Sequence, residues 1–480
     1  MKALLRRKSI DALGAHAPEA RLRPSLGWPH LMALGVGAIV GAGIFTLLGV
    51  GAERAGPAVI LAFAVAGVVC ACAALAYAEL ATLMPASGSA YTYSYAVLGE
   101  GLAWIVGWSL ILEYTVVCSA VAVGWSGYAA GFLEGLGVHL PKALMAGPHA
   151  GGVFNVPAAF IIAVVAGLLA IGTRESATVN TLLVLVKIAA LVLFVALAAP
   201  AFNPANLDPF MPYGFSKHVE GGAERGVMAA AAIIFFAFYG FDAVSTAAEE
   251  AKRPERDLAI GIVGSMVVCT ALYIAVGAAA VGAAPFQDFA KSGEPLAYVL
   301  RAVGHGDAAT LIAGAAVIAL PTVILAFLYG QSRIFFVMAR DGLLPRTLAR
   351  VDARTGSPLV MTLATAVVVA AVAGLLPLDE IAALANAGTL AAFIAVGASL
   401  IVLRLREPAR PRAFKAPAWP LVGAVTILGC LYLFASLPTK TLVYFAIWNA
   451  VGVAAYFAYA HGHSLLHRGD SARGANRPSL

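Results

Sequence analysis

Four ionisable side chains fall inside long apolar runs of this sequence: Glu79, Glu113, Lys187 and Asp242. A charge at the centre of a membrane helix costs roughly 2.5–3.5 kcal/mol on insertion scales, so each is a functional candidate. Lys187 is the sharpest. It is the tenth residue of TVNTLLVLVKIAALVLFVAL, too deep for its ammonium to reach water. A lysine so placed must find carbonyls or a carboxylate, or give up its proton, and a lysine switched by protonation is a proton carrier. The alternative is a static ion pair with Glu113 or Asp242. Asp242 follows Gly240 in IIFFAFYGFDAVSTAAEE, residues 233–250, where it would cap a half-helix that resumes after a break. Glu113, in GWSLILEYTVV, either faces a substrate side chain or hydrogen-bonds within the bundle. Glu79, in LAYAELATLMP, reads as a gate or packing group. The nine histidines fall in loops, tails or segment ends, which argues against a histidine relay at membrane depth. The five cysteines lie in apolar segments without metal-ligand spacing, so no metal and no cofactor is expected.

The composition says what carries these groups. Of 480 residues, 61% are hydrophobic and 12% charged, against about 45–50% and about 25% in soluble domains. An all-α, polytopic membrane protein is expected, and soluble enzymes drop out. About 20 apolar residues span a bilayer. That ruler gives twelve transmembrane segments, at 28–50, 57–84, 98–131, 154–172, 177–199, 225–248, 258–283, 308–338, 358–377, 380–403, 419–437 and 441–460. Residues 1–27 are basic but lack a short apolar core with a cleavage site, so the first segment is read as a retained helix.

Orientation follows from the basic residues. With the N-terminus inside, 23 of the 31 Lys and Arg fall on the cytoplasmic side, 7 fall outside, and Lys187 is left within a segment. Both termini are therefore expected in the cytoplasm, at the inner face of a bacterial cytoplasmic membrane. The net charge of +6 then reflects topology and a face for anionic membrane lipids, not nucleic acid. EEAKRPERD (249–257) reads as a charged, solvated turn, QSRIFFVMARDGLLP (331–345) as a positive-inside anchor, and PASGSAYTYSYAVLGE (85–100) as a polar connector. The tail at 461–480 reads as poorly ordered.

Two segments carry glycine-centred interruptions. Residues 35–49 read GVGAIVGAGIFTLLG. This is either a small-residue packing face or a broken helix whose freed backbone groups line a cavity. The second interruption, at Gly240, lies five segments later, the spacing of two five-helix halves in an inverted repeat. Unpaired amides of Gly41, Ala42, Gly43 and Ile44 would receive an anion, and unpaired carbonyls near Ile39 and at 236–239 a cation. A site offering both signs fits a zwitterion, of which an α-amino acid is the commonest small example. An integral membrane enzyme is the competing class, but HExxH and an obvious nucleophile–base pair are missing. A pore is disfavoured by an occludable site.

The stretches VGAIVGAGIF, PASGSAYTYSY, GWSLILEY, FFAFYGFDAVSTAAEEAKRP and QSRIFFVMARDGLLP resemble the amino acid–polyamine–organocation transporters. Within them, the chain looks most like the bacterial branch of the cationic amino acid transporter family, over roughly residues 24–460. The resemblance implies a leucine-transporter-type 5+5 inverted repeat in a ten-helix core (28–403), two added helices (404–460), and cytoplasmic tails at 1–27 and 461–480. It implies import of L-amino acids by proton symport with alternating access; an exchanger or facilitator without ion coupling is the alternative. The substrate carboxylate would meet the amides of Gly41, Ala42, Gly43 and Ile44, and the amino group the carbonyls of Ile39, Phe236 and Tyr239, beside Ala237. Phe236 would be an aromatic gate, Glu113 and the Ala326–Phe327 region would face the substrate side chain, and Lys187 would occupy the place of a sodium ion beside segments one and eight. Gly240 and Asp242 would form the second break and its cap. Lys252-Arg253-Pro254 departs from the Lys-Asn-Pro often found there. A small accessory membrane subunit is a further partner the resemblance leaves open.

Overall fold

The computed structural model describes residues 4–12, 22–45, 47–135, 141–148, 151–221, 223–290, 292, 294–352, 357–376, 378–437 and 439–467. The first segment is three pieces: α1 (Trp28–Ile39), α2 (Ala42–Phe45) and α3 (Leu47–Ala55). Then come α4 (Val59–Leu83), α5 (Ala90–Val97), α6 (Glu100–Gly135), α7 (Val156–Ile171) and α8 (Thr173–Ala198). The sixth segment is again divided, into α9 (Val227–Ile234), a 3-10 turn (Phe235–Phe238) and α10 (Ala243–Thr246). The chain continues through α11 (Pro254–Ala283), short α12 (Phe286–Phe289) and α13 (Pro295–Ala302), α14 (Gly306–Arg340), α15 (Leu359–Leu375), α16 (Leu378–Arg406), α17 (Trp419–Ala435), α18 (Thr439–Ala455) and α19 (His461–His463). Eight described helical stretches are long and apolar enough to cross a membrane, and α1, α7, α15 and α17 are shorter apolar helices.

Local chemistry accounts for several helix ends and irregularities. Asn155 opens α7 by accepting the Ala158 amide with its side chain, satisfying one of the orphan donors of a helix start. Pro321 lies inside α14 and has no N–H to offer, which frees the carbonyl four residues earlier. That carbonyl, of Val317, accepts the Trp125 indole at 2.8 Å and ties α14 to α6. α1 sits against α8, α11 and α14, while α6 packs between α14 and α16.

The structure revises several readings. The described chain is helical apart from a hairpin, β1 (His218–Glu220) with β2 (Ala223–Arg225), before α9, and an isolated bridge between Leu26 and Ala251. The expected connector at 85–100 contains α5, buried throughout. Two of its three buried tyrosines are satisfied inside: Tyr91 donates to Asp341 (2.9 Å) and Tyr95 to Glu100 (2.8 Å). The 249–257 turn is not simply solvated. Glu250 is fully buried and makes a two-pronged pair with Arg333 (2.9 and 3.0 Å), while Glu249 does the same with Arg340. Arg333, 1% exposed, is thus no surface anchor. Residues 461–467 pack onto the body through Ser464, which donates to Glu100 at 2.6 Å; the remainder of that tail lies outside the described residues, as do His16, His139 and His149.

Candidate functional site

The two interruptions meet. α1 ends at Ile39, with Val40 extended after it, and the chain restarts at Ala42. The first amides of such a restart have no preceding turn to accept them. In the sixth segment the 3-10 turn ends at Tyr239, and Gly240 takes φ +116°, a region L side chains rarely adopt. A Cβ on Gly240 would lie 2.4 Å from that of Ala38. The two breaks therefore cross at a distance only glycine permits.

Between them is a small cavity, bordered by Ile39, Gly41, Gly43, Phe236, Tyr239 and Phe327. These six were singled out from the sequence and the fold brings them together. Ala237 lies directly behind Gly43. Ile44 is buried beside the cavity without bordering it. Ala42 contributes its backbone to α2, and its side chain lies outside the description. The Ile39 carbonyl already accepts the Tyr273 hydroxyl at 2.8 Å, leaving one lone pair for another donor.

The four charges sort differently. Lys187, fully buried, donates from Nζ to the carbonyls of Gly37 (3.0 Å) and Val40 (2.5 Å). Both belong to the end of α1, where the interruption frees the carbonyls. Thr322 of α14 donates to the same Gly37 oxygen at 3.1 Å, so α8, α1 and α14 share one polar junction. Among the described residues Lys187 makes no ion pair with Glu113 or Asp242, which removes the static-pair alternative. Asp242 stands at the N-cap position of α10 but caps none of its amides. Its carboxylate instead accepts the Gly240 N–H (3.2 Å) and the Tyr114 hydroxyl (2.6 Å). The expected cap is thus corrected to a clamp on the break, because the first amides of α10, at Ala243, Val244 and Ser245, already donate to the carbonyls of Gly240, Phe241 and Asp242. Glu113 is fully buried one turn before Val117, does not border the cavity, and has no hydrogen bond to either oxygen among the described residues. Glu79 pairs with Arg404 (2.7 Å) and Arg412 (3.0 Å) and accepts the Ala416 amide. No His, Cys, Asp and Glu cluster that could hold a metal occurs among the described residues.

Residues 26–460 match the family described as amino acid permease. The chain belongs to the amino acid permease family. The branched-chain amino acid permease BcaP of Bacillus subtilis (strain 168) is 46% identical over 471 residues, covering 97% of this chain and 99% of its own. A methylthioribose transporter of the same organism is 42% identical, covering 98% of this chain and 100% of its own. The vacuolar cationic amino acid transporter 4 of Arabidopsis thaliana is 37% identical, over 85% and 68%. This permease is therefore a multi-pass membrane transporter and not an enzyme.

Sequence reading missed part of the permease's cavity wall: Val117 and Val121 of α6 and Val323 of α14. Val117 and Val121 follow Glu113 at four-residue intervals, hence on one helix face. That periodicity was a usable signal. Asn386 of α16 was also missed; its side chain accepts the Tyr239 hydroxyl at 2.6 Å and carries no local pattern that marks it.

Proposed function

We propose that this permease imports L-amino acids with aliphatic side chains across a bacterial cytoplasmic membrane, by proton symport with alternating access. The observation that carries the reading is the meeting of two chain breaks around one cavity. Amides at Gly41, Ala42 and Gly43 bind the carboxylate, with Ile44 closing the turn, and carbonyls of Ile39, Phe236 and Tyr239 bind the ammonium group. Val117, Val121, Val323 and Phe327 offer the side chain an apolar wall with no carboxylate in it. That composition favours aliphatic over cationic substrates, in line with the name of the Bacillus subtilis relative. Phe236 and Tyr239, with ring centres 5.2 Å apart, close the site toward the outside.

Lys187 carries the proton in this reading. Charged, it joins α8 to the end of α1; neutral, it holds the two carbonyls less strongly, since hydrogen bonds to a charged group are worth roughly 1.5–3 kcal/mol against about 0.5–1.5 kcal/mol for neutral ones. Loosening that junction frees α1 to move. The Glu249–Arg340 and Glu250–Arg333 pairs close the cytoplasmic side until then. Twelve crossings in a 5+5 inverted repeat plus two helices, with both termini inside, complete the arrangement.

The test is uptake by purified protein in proteoliposomes, with a panel of twenty amino acids and methylthioribose, each with and without an inward proton gradient. Gradient-driven accumulation of leucine, isoleucine or valine is expected. Sodium-driven uptake, counterflow without accumulation, or transport of methylthioribose alone would overturn it.

A further inference from the structure

Residues 85–89, the connector between α4 and α5, hold a backbone outlier. Ser89 takes φ +52° and ψ −140°, one of two non-glycine residues with a positive φ among the described residues, and it is fully buried. A serine keeps such a conformation only where its surroundings impose it. Here they do so across a seam. The Ser89 and Ser245 hydroxyls are hydrogen-bonded at 2.8 Å, and Ser245 lies on α10, the half-helix that follows the second break. Four residues further on, the Ser87 amide donates to the Glu249 carboxylate (3.1 Å) and the Glu249 amide to the Ser87 hydroxyl (3.3 Å). The connector is thus fastened at two levels to the stretch that runs from Gly240 to the Glu249–Arg340 pair.

Two tyrosines back this seam, Tyr77 from α4 and Tyr93 from α5. Both are fully buried, with ring centres 6.1 Å apart. The Tyr77 hydroxyl lies near Ser89 and that of Tyr93 near Ser245, yet neither completes a hydrogen bond among the described residues. Ser245 is already engaged by Ser89 and the Asp242 carbonyl. The Tyr77 ring also packs on Phe241 at 5.7 Å, two residues after Tyr239 of the cavity wall, so the cluster begins at the break. A phenylalanine would fill either place without stranding a hydroxyl, and a buried unpaired hydroxyl is destabilising. The closed arrangement gives these two oxygens nothing to do; an arrangement in which water and a charged substrate reach them does.

We propose that the seam between α5 and α10 is the inner door of the substrate path, and that the Tyr77 and Tyr93 hydroxyls line the way out. As α10 parts from the connector, the Ser89–Ser245 and Ser87–Glu249 hydrogen bonds break and Ser89 is released from its imposed conformation. The two phenols then meet water and the departing amino acid, donating to its carboxylate or accepting from its ammonium group. Glu249 belongs both to the seam and to the pair with Arg340, so the two open together.

The inference rests on amino acid transport by alternating access, and the experiment separates the two. Leucine exchange in proteoliposomes is measured for wild type and for the double variant Ser89→Cys/Ser245→Cys, each oxidised with copper phenanthroline and then reduced. With the new disulfide verified by peptide mass spectrometry, the door predicts that exchange falls roughly tenfold or more and returns on reduction, while wild type is indifferent to the treatment. Exchange that persists through the cross-link overturns the door and leaves the transport reading standing; a wild type that moves no amino acid takes both down. The second measurement is Tyr77→Phe/Tyr93→Phe. The door predicts a raised Tm, because no hydroxyl is stranded, together with exchange slowed about threefold or more, because the closed arrangement is favoured and opening steps set many turnover rates. A smaller change in exchange, or slower exchange with a lowered Tm, leaves the tyrosines a packing role and overturns the lining. Should the disulfide not form, or the reduced cysteine variant be inactive, the tyrosine result decides.

Discussion

A Cβ placed on Gly43 would lie 2.5 Å from the Cα of Ala237. The restart of the first segment and the 3-10 turn of the sixth thus touch backbone to backbone, 194 residues apart in the chain. Only a glycine at position 43 permits this approach beside the cavity.

Gly43→Val is therefore expected to abolish transport while leaving the protein inserted. The clash is with backbone, which cannot rotate away, and overpacking of this kind costs about 1–3 kcal/mol, roughly five- to 150-fold in affinity. Ligand-induced thermal stabilisation of the purified variant measures it; a full wild-type shift with leucine would place the site elsewhere.

Lys187→Ala removes the donor to Gly37 and Val40. Proton-driven accumulation should disappear, with external acidification no longer raising the initial uptake rate. Vesicle uptake at several imposed pH gradients reads this directly, and a persisting dependence on the gradient would remove Lys187 from the coupling step.

Val323 and Phe327 line the cavity, at the end where the proposed substrate's side chain lies. Val323→Ala should favour bulkier aliphatic or aromatic substrates over valine by about 1–3 kcal/mol per methylene-sized space opened, or roughly 10–200-fold in the ratio of kcat/KM. Competition by phenylalanine against labelled valine is the measurement, and an unchanged ratio would take this wall out of selectivity.

Arg333→Met leaves Glu250 buried without its ion-pair partner; breaking a buried pair costs about 3–5 kcal/mol. The proposed cytoplasmic closure adds a second expectation: a single cysteine placed beside the site should react faster with a reagent applied from inside. A lowered Tm with unchanged labelling would leave the pair a stabilising role and no gating one.

Outside the membrane, the hairpin is tied to α3 by Arg54–Glu224 (2.8 Å), and Lys217, just before β1, pairs across the hairpin with the same Glu224 (2.7 Å). Partial burial alone would raise the Glu224 carboxyl, but Lys217 and Arg54 outweigh it and hold it below the usual range. A depressed carboxyl contributes stability above its unfolded value, near pH 4.5, and loses it as the pH falls through the folded one. The Tm difference between wild type and Glu224→Gln should accordingly be largest near neutral pH, shrink below about pH 4.5, and be smaller in high salt. A difference constant from pH 3 to 7 would contradict it.

Much of the site was legible because it is built from backbone. A break at Gly41 or Gly240 announces itself in a line of residues, since glycine within an apolar run already costs helix stability. Lys187 was legible for the same reason: one charge in an apolar segment is anomalous without any knowledge of its neighbours. The partners were another matter. The choice for Lys187 between a carboxylate and the carbonyls of Gly37 and Val40 depends on which helix face meets which. So do the Asp242 clamp on Gly240 and Tyr114, and the reach of Asn386 to Tyr239. Glu250 and Arg333 stand 83 residues apart in charged stretches that read as solvated surface, and nothing local marks them as a buried pair.

By itself, the sequence determined that this chain is a helical membrane protein with two interrupted segments, and where its anomalous charges lie. Those properties follow from hydropathy, segment length and glycine's missing Cβ, all of which act along the chain. The tertiary structure alone decided that the interruptions close on one cavity with a valine-rich wall, that Lys187 is held by carbonyls, and that Glu250 is buried against Arg333. Such pairings depend on the relative rotation and depth of separate helices. Inside lipid these are set by packing and hydrogen bonding between helices, which no single segment encodes.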